Sequence, residues 1–383
     1  MAMSALLVLV QVLISFGAVG ENPILRSSLA ISGAGDPPPS PVPEGEVVAG
    51  SLGRDLDDLL AGISRKGFSG SVLVAAGGTV LLKKGYGLAN REEGIANDSE
   101  TLFDIGPLSR ILTAAAIMKL VDSGHLDLSD PVNRYLGPFP DLRGRATIHQ
   151  LLIHTSGMVG GDAQLNDRSL PAFINSVKMA PAGSRTPGTE FQTSAAGYTL
   201  LAAIVEKLSG RPFASYLRQE LLIPAGMNST GFAWESRWRR REVAVGYEGT
   251  GLAELTPVPV PAKTWGQQGP GGLVTTVGDL YRWIRAMKDG SLLSPGARRE
   301  IFSAHVGTEG YSWHVIDNST RGRLVRRGGS LPGFESSVRW YQDADLVIIF
   351  AINSNMGFRI KVARGIDDIL KRAMPVPDKV PAG

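Results

Sequence analysis

Covalent catalysis needs a nucleophile and a neighbouring group that takes its proton, and this 383-residue chain is poor in such pairs. It contains no cysteine, which excludes thiolate chemistry, disulfides and cysteine-based metal sites together. Its five histidines are His125, His149, His154, His305 and His314. No two share a helical face, so no metal site is expected. No lysine has a serine three residues before it, so a Ser-x-x-Lys pair on one helical turn occurs nowhere. A Tyr-x-Asn triplet and a Gly-x-Ser-x-Gly elbow are absent too. His154 and Ser156 look catalytic when taken alone, and His305-Val306-Gly307 offers a titratable residue beside a glycine. Arg237-Trp238-Arg239-Arg240-Arg241 is a basic cluster that reads first as a solvated loop and second as a contact for an anionic envelope polymer or lipid.

The elements that must position these groups follow from periodicity. Asp55 to Ile63 has apolar residues at helical spacing, and Ser71–Ala76 and Thr79–Tyr86 form strand-like runs around a Gly77-Gly78 hairpin signal. Ile111 to Val121 is apolar nearly all round, which predicts a buried helix ending near Gly124. Thr147 with Gln150 fits a capping box. Ala195–Leu208 presents an apolar face and ends at Gly210, and Val277–Met287 and Pro295–Ser303 also read as helices. Strands return at Arg323–Arg327, Ser336–Tyr341 and Leu346–Asn353, followed by an amphipathic helix over Phe358–Met374. Strands at both ends with helices between predict an α/β fold of the α+β kind: an antiparallel sheet built from both chain ends, flanked by helices, with a helical lobe inserted.

Ordered segments carry a resemblance. Leu102-Phe103-Asp104-Ile105-Gly106, Gly124-His125-Leu126-Asp127-Leu128-Ser129-Asp130-Pro131-Val132 and Leu151-Leu152-Ile153-His154-Thr155-Ser156-Gly157-Met158 come first. Pro187-Gly188-Thr189, Gly197-Tyr198, Pro224-Ala225-Gly226-Met227, Gly271-Gly272-Leu273 and Pro332-Gly333-Phe334 follow. From about Leu56 to Leu370 the chain resembles the class C serine β-lactamases and the related D-Ala-D-Ala carboxypeptidases and esterases. The resemblance implies a β-lactamase/transpeptidase-like fold. It also implies where chemistry would sit, and every such position is altered. The family's Ser-x-x-Lys falls on Pro107-Leu108-Ser109-Arg110, so the nucleophile position is a proline with neither a hydroxyl nor an N–H for the oxyanion hole. Arg110 stays protonated and is no base. The Tyr-x-Asn motif becomes Thr193-Ser194-Ala195, and the Lys/His-x-Gly motif becomes Arg327-Gly328-Gly329. His305-Val306-Gly307 lies too far before Pro332-Gly333-Phe334 to replace it. In the family His154 and Ser156 belong to a structural turn. Ser109 sits about 200° round the helix from position 107 and is expected to face away from the cleft.

These substitutions predict an exported β-lactamase-like protein without the standard catalytic residues, a binding or regulatory module. The alternatives are a serine hydrolase with a non-standard residue set and a structural exported domain. Arg110, Thr193, Arg327, Gly329 and Ser330 form the expected ligand site. Two guanidiniums on one groove would grip an anionic peptide or a peptidoglycan-like ligand, or the arginines fill the groove by pairing with Asp104, Glu190 or Glu335. A protein partner is the other candidate. No cofactor is expected. A net charge of +3 does not suggest nucleic acid, and 43% apolar residues exclude wholesale disorder. Ala5 to Gly20 is almost wholly apolar with Ala18-Val19-Gly20 at its end, which reads as a signal peptide and predicts a secreted or periplasmic protein. If uncleaved, that segment is the expected membrane contact. The expected organisation is a signal over 1–20, a Pro/Gly/Ser-rich linker over 21–50, a domain over 51–375 and a tail over 376–383. Within the domain, the sheet lobe takes 51–105 and 310–375 and the helical lobe 106–309.

Overall fold

The structure is a computed structural model, and it describes residues 42–158, 166, 168–180, 185–238, 242–259 and 263–374. The predicted signal segment, most of the predicted linker, Arg239 to Arg241 of the basic cluster and the predicted tail lie outside the described residues.

A seven-stranded antiparallel sheet organises the chain. Its order is Val47–Val48, Thr79–Tyr86, Gly70–Ala76, Leu346–Ile352, Phe334–Tyr341, Gly322–Leu331 and His314–Ser319. The joint between the two chain ends is the pairing of Gly70–Ala76 with Leu346–Ile352, from Gly70 opposite Ile352 to Ala76 opposite Leu346. Apart from Ser71, both strands are apolar because both sheet faces are covered. Alternation sorts their side chains. Leu73, Ala75, Val347, Ile349 and Ala351 join the core shared with the helical lobe. Val72, Val74, Leu346, Ile348, Phe350 and Ile352 pack with the helices Gly50–Ser64 and Phe358–Ala373 on the other face.

The helical lobe centres on two buried helices, Arg110–Asp122 and Ala195–Ser209. The second ends at Gly210 in the left-handed conformation, and Thr147 and Gln150 make the predicted capping box. A three-stranded sheet, in which Leu273–Thr275 lies between Phe103–Asp104 and Gly231–Phe232, was not expected from periodicity. Helix Leu170–Met179 and strand His314–Ser319 also escaped the sequence reading. The strand is a half-exposed sheet edge ending in Asp-Asn-Ser, so its apolar alternation is weak.

The domain boundary at Ser51 is corrected. Val47 and Val48 pair with Lys83 and Leu82, helix Gly50–Ser64 begins before Ser51, and Val42 is buried in the core. Lys83 is fully buried, and its ammonium donates to the Pro43 carbonyl at 2.8 Å and to Glu100 at 2.6 Å. The last residues assigned to the linker therefore supply one of the two partners of a buried charge. A chain beginning at Ser51 is expected to be less stable than one beginning at Pro41 by at least the ~1–3 kcal/mol of an unsatisfied buried donor. Urea unfolding of the two chains measures the difference, and equal midpoints would show that the edge strand is dispensable.

Candidate functional site

The site is assembled where the turn preceding helix Arg110–Asp122 meets the strand Gly322–Leu331. Val274 pairs with Asp104, and the Ile105 N–H donates to the Leu273 carbonyl at 3.1 Å, which fixes the entry to the turn. Gly106 then adopts a φ of +51°, open to glycine at low cost, and the chain enters a 3-10 turn over Gly106–Ser109 with Pro107 in its first turn. On the facing strand a Cβ at Gly329 would lie 2.1 Å from the Ile105 carbonyl oxygen, so this contact requires glycine. Ser336 Oγ donates to the same carbonyl at 3.1 Å. The third wall, the segment around Gly266 to Gly272, is tied to the central helices by hydrogen bonds from Thr113 to the Gly269 carbonyl and from Thr199 to the Gly266 carbonyl, both 2.8 Å.

These elements enclose a cavity of about 380 Å³. Of the residues expected at the site, Pro107, Arg110, Ala195 and Ser330 line it, together with Asp104, Trp234 and Gln267. Thr193, Arg327 and Gly329 are not on its wall. Thr193 is exposed on the loop before helix Ala195–Ser209, and Gly329 is taken up in the contact with Ile105. Arg327 is buried, with its guanidinium 3.8 Å from Glu309. The expectation that two arginines flank one groove is therefore corrected: Arg110 lines the cavity, and Arg327 is buried off its wall beside Glu309. The ion pairs anticipated with Asp104, Glu190 and Glu335 do not form. Glu190 pairs with Arg185, Glu335 lies 3.7 Å from Arg359, and Asp104 accepts from the Gly106 N–H at 2.9 Å. Ser109 is fully buried, its Oγ has no partner, and it does not line the cavity.

Arg110 is 5% exposed, with Nε and Nη1 buried and unpartnered and the guanidinium 5.5 Å from the centre of the Tyr198 ring. Burial, and then the nearby charge of Arg327, lower its pKa to about 10, so it stays charged at neutral pH. His154 is no base. Burial, helped by Arg110 and Arg327, pushes it down to about 2, and its Nδ1 accepts from the Ser194 N–H at 3.2 Å. The residue that sequence reasoning missed is Asp104. It had entered only as a possible ion-pair partner, because nothing in its short strand announces a cavity. Burial raises its pKa to about 6 against the single opposing hydrogen bond from Gly106. A second cavity of about 710 Å³ abuts the first and shares Asp104, Ala233, Trp234, Leu331 and Pro332 with it. Trp238, Val243, Val245, Val258 and Phe334 supply much of its apolar wall.

A carboxyl whose pKa rises on folding, here from 3.8 to about 6, leaves stability untouched well below pH 3.8, costs stability increasingly between pH 3.8 and 6, and costs the full amount above pH 6. Asp104→Asn keeps an acceptor for Gly106 and removes that charge. It is expected to stabilise the protein at pH 7.5 by about 1–3 kcal/mol and by almost nothing at pH 4. Urea unfolding at the two pH values checks this, and an equal effect at both would show that the Asp104 charge is not what matters.

Comparison with known proteins agrees with this architecture. The Beta-lactamase family model matches residues 54–371. A putative penicillin-binding protein, PbpX, of Bacillus subtilis (strain 168) is 30% identical over 291 residues, covering 75% of this chain and 71% of that protein. A teichoic acid D-alanine hydrolase of Staphylococcus aureus (strain MRSA252) is 23% identical over 314 residues, 82% of this chain and 77% of that one. The octameric penicillin-binding protein homologue from Pyrococcus abyssi superposes with a TM-score of 0.72 at 25% identity, covering 86% of this chain and 79% of its own. With the fold, the ordered segments and the family match all in register, the chain belongs to the β-lactamase family.

Proposed function

We propose that this protein is an exported member of the β-lactamase family that binds in its cleft without hydrolysing. The observation that carries the reading is Pro107, which lines the cavity at the nucleophile position and offers neither a hydroxyl nor an N–H there. The other hydroxyls are poorly placed to substitute. Ser109 is buried away from the cavity, Ser194 Oγ caps the helix by accepting from the Gly197 N–H at 3.0 Å, and Thr193 is off the wall. Ser330 is exposed at the cavity, but among the described residues no histidine or lysine lines it to take a proton. Incubation with a fluorescent penicillin and with a fluorophosphonate is expected to leave the intact mass unchanged, and in secreted protein that mass also shows whether the segment ending at Gly20 has been removed. An adduct on Ser109, Thr193, Ser194 or Ser330 would overturn the reading. Pro107→Ser with Arg110→Lys is expected to restore little or no turnover, because catalytic groups act as a unit and Thr193, Ala195 and Arg327 remain.

The ligand class follows from the lining. Among the described residues Arg110 is the cation that lines the cavity, and the walls around Trp234, Leu331 and Pro332 are apolar. This supports a ligand with a carboxylate and an apolar arm, such as a peptide C-terminus, a peptidoglycan-like fragment or a protein partner presenting one. A charge-assisted hydrogen bond of about 1.5–3 kcal/mol makes Arg110→Ala at least tenfold weaker in binding. Arg327→Ala is expected to lower stability instead, through the loss of its pairing with Glu309. Calorimetric titration of D-Ala-D-Ala peptides into the wild type and both variants decides. No binding by the wild type, or unchanged binding by Arg110→Ala, would remove the ligand assignment.

A further inference from the structure

A second polar groove lies on the opposite face of the main sheet from the cleft. Arg326 follows Leu324 by two residues and so projects on the same face, where Leu324 packs with helix Phe358–Ala373. Across the strands His314 stands opposite Arg326, and Arg326 stands opposite Arg339. Two cations and a titratable ring thus form a row on adjacent strands spaced about 4.8 Å apart. Like charges directly opposite one another repel, so the row is unfavourable by itself. The first turns of helix Phe358–Ala373 add to it rather than neutralise it. Arg359 reaches over Gly328, and Arg364 follows on the same helix. His314, Arg326, Arg339, Arg359 and Arg364 all line a groove of about 340 Å³.

The carboxylates nearby do not balance these charges. Asp367 holds Arg339 at 2.9 Å, and Glu335 lies a loose 3.7 Å from Arg359 with its second oxygen buried and unpartnered. His314 is paired at 2.8 Å with Glu309, which also faces Arg327. Arg326 and Arg364 are both exposed and pair with no carboxylate among the described residues. Arg327 also lines the groove, so five guanidiniums meet three carboxylates, Asp367, Glu335 and Glu309, and two positive charges remain in a concavity the size of a small-molecule site.

We propose that this groove is a binding site for a phosphoryl-bearing anion, separate from the cleft and independent of the reading of the cleft given above. A carboxylate has two acceptor oxygens and one charge, and one guanidinium fork engages both oxygens. A phosphoryl group offers more acceptor oxygens and up to two charges, so it can accept from several converging guanidiniums and offset the repulsion of the row. The groove holds a phosphoryl group and its immediate substituent. The same chemistry reaches it from a soluble phosphate ester or from a lipid headgroup.

The test uses the full chain at low ionic strength. Calorimetric titration with inorganic pyrophosphate is expected to show saturable one-to-one binding. Arg326→Gln with Arg364→Gln should weaken it at least tenfold, and citrate should bind the wild type at least tenfold more weakly than pyrophosphate. Co-sedimentation with phosphatidylcholine vesicles, with and without phosphatidic acid, identifies the source. Binding only to the phosphatidic acid vesicles, lost in the double variant, assigns a lipid headgroup, and binding of pyrophosphate alone assigns a soluble phosphate. A thermal scan guards against misfolding, because Arg326→Gln is expected to raise the melting temperature without phosphate and to abolish the rise that pyrophosphate gives the wild type. The proposal is overturned if neither pyrophosphate nor phosphatidic acid vesicles bind, if the double variant binds as the wild type does, or if citrate matches pyrophosphate.

Discussion

The contact between Gly329 and the Ile105 carbonyl holds the site together. It brings the sheet assembled from the two chain ends against the turn that starts the central helix, with no room for a side chain between them. The hydrogen bond from Ser336 to the same carbonyl comes from the neighbouring strand and fixes the register of that approach. The cavity follows from the contact, since Pro107 and Arg110 lie on one side of it and Ser330 and Leu331 on the other. The glycine of a motif whose titratable member is gone thus retains a packing role, whatever happens in the cleft.

The charges around the cavity are set by burial and by one another. A catalytic cleft pairs a nucleophile with a base of matched pKa. This cavity instead has a permanent cation at Arg110, a histidine behind it held neutral by burial, and a buried carboxyl, Asp104, whose proton is retained well above the usual range. Arg110 and Arg327 repel each other, and the energy of holding them near one another is offset by the Tyr198 ring beneath the first and Glu309 beside the second. The large apolar cavity next to Trp234 gives the site a place for uncharged bulk.

Repulsion recurs on the outer face, where Arg326 and Arg339 oppose each other on adjacent strands. There it is exposed to solvent and only half neutralised. In the cleft it is buried and answered by an aromatic ring and one carboxylate. The two faces of one sheet therefore hold cations for different reasons, packing on one and an open groove on the other.

Much of this molecule was legible in the sequence, because local periodicity and ordered segments are properties of short stretches of chain. The hairpin around Gly77 and Gly78, the buried helix after Arg110, the capping box at Thr147 and the sheet built from both ends all follow from spacing and turn chemistry. So does the lack of a hydroxyl at position 107, since a proline can supply none in any fold. What only the tertiary structure decided is which charges meet. Arg327 and Glu309 are 18 residues apart and Arg326 and Arg359 are 33 apart, and no pattern in sequence says that the first pair closes a buried space while the second shares a groove. The same holds for Asp104, whose elevated pKa comes from burial by segments distant in sequence. Secondary structure is written in neighbours along the chain, whereas solvation and pairing depend on neighbours in space.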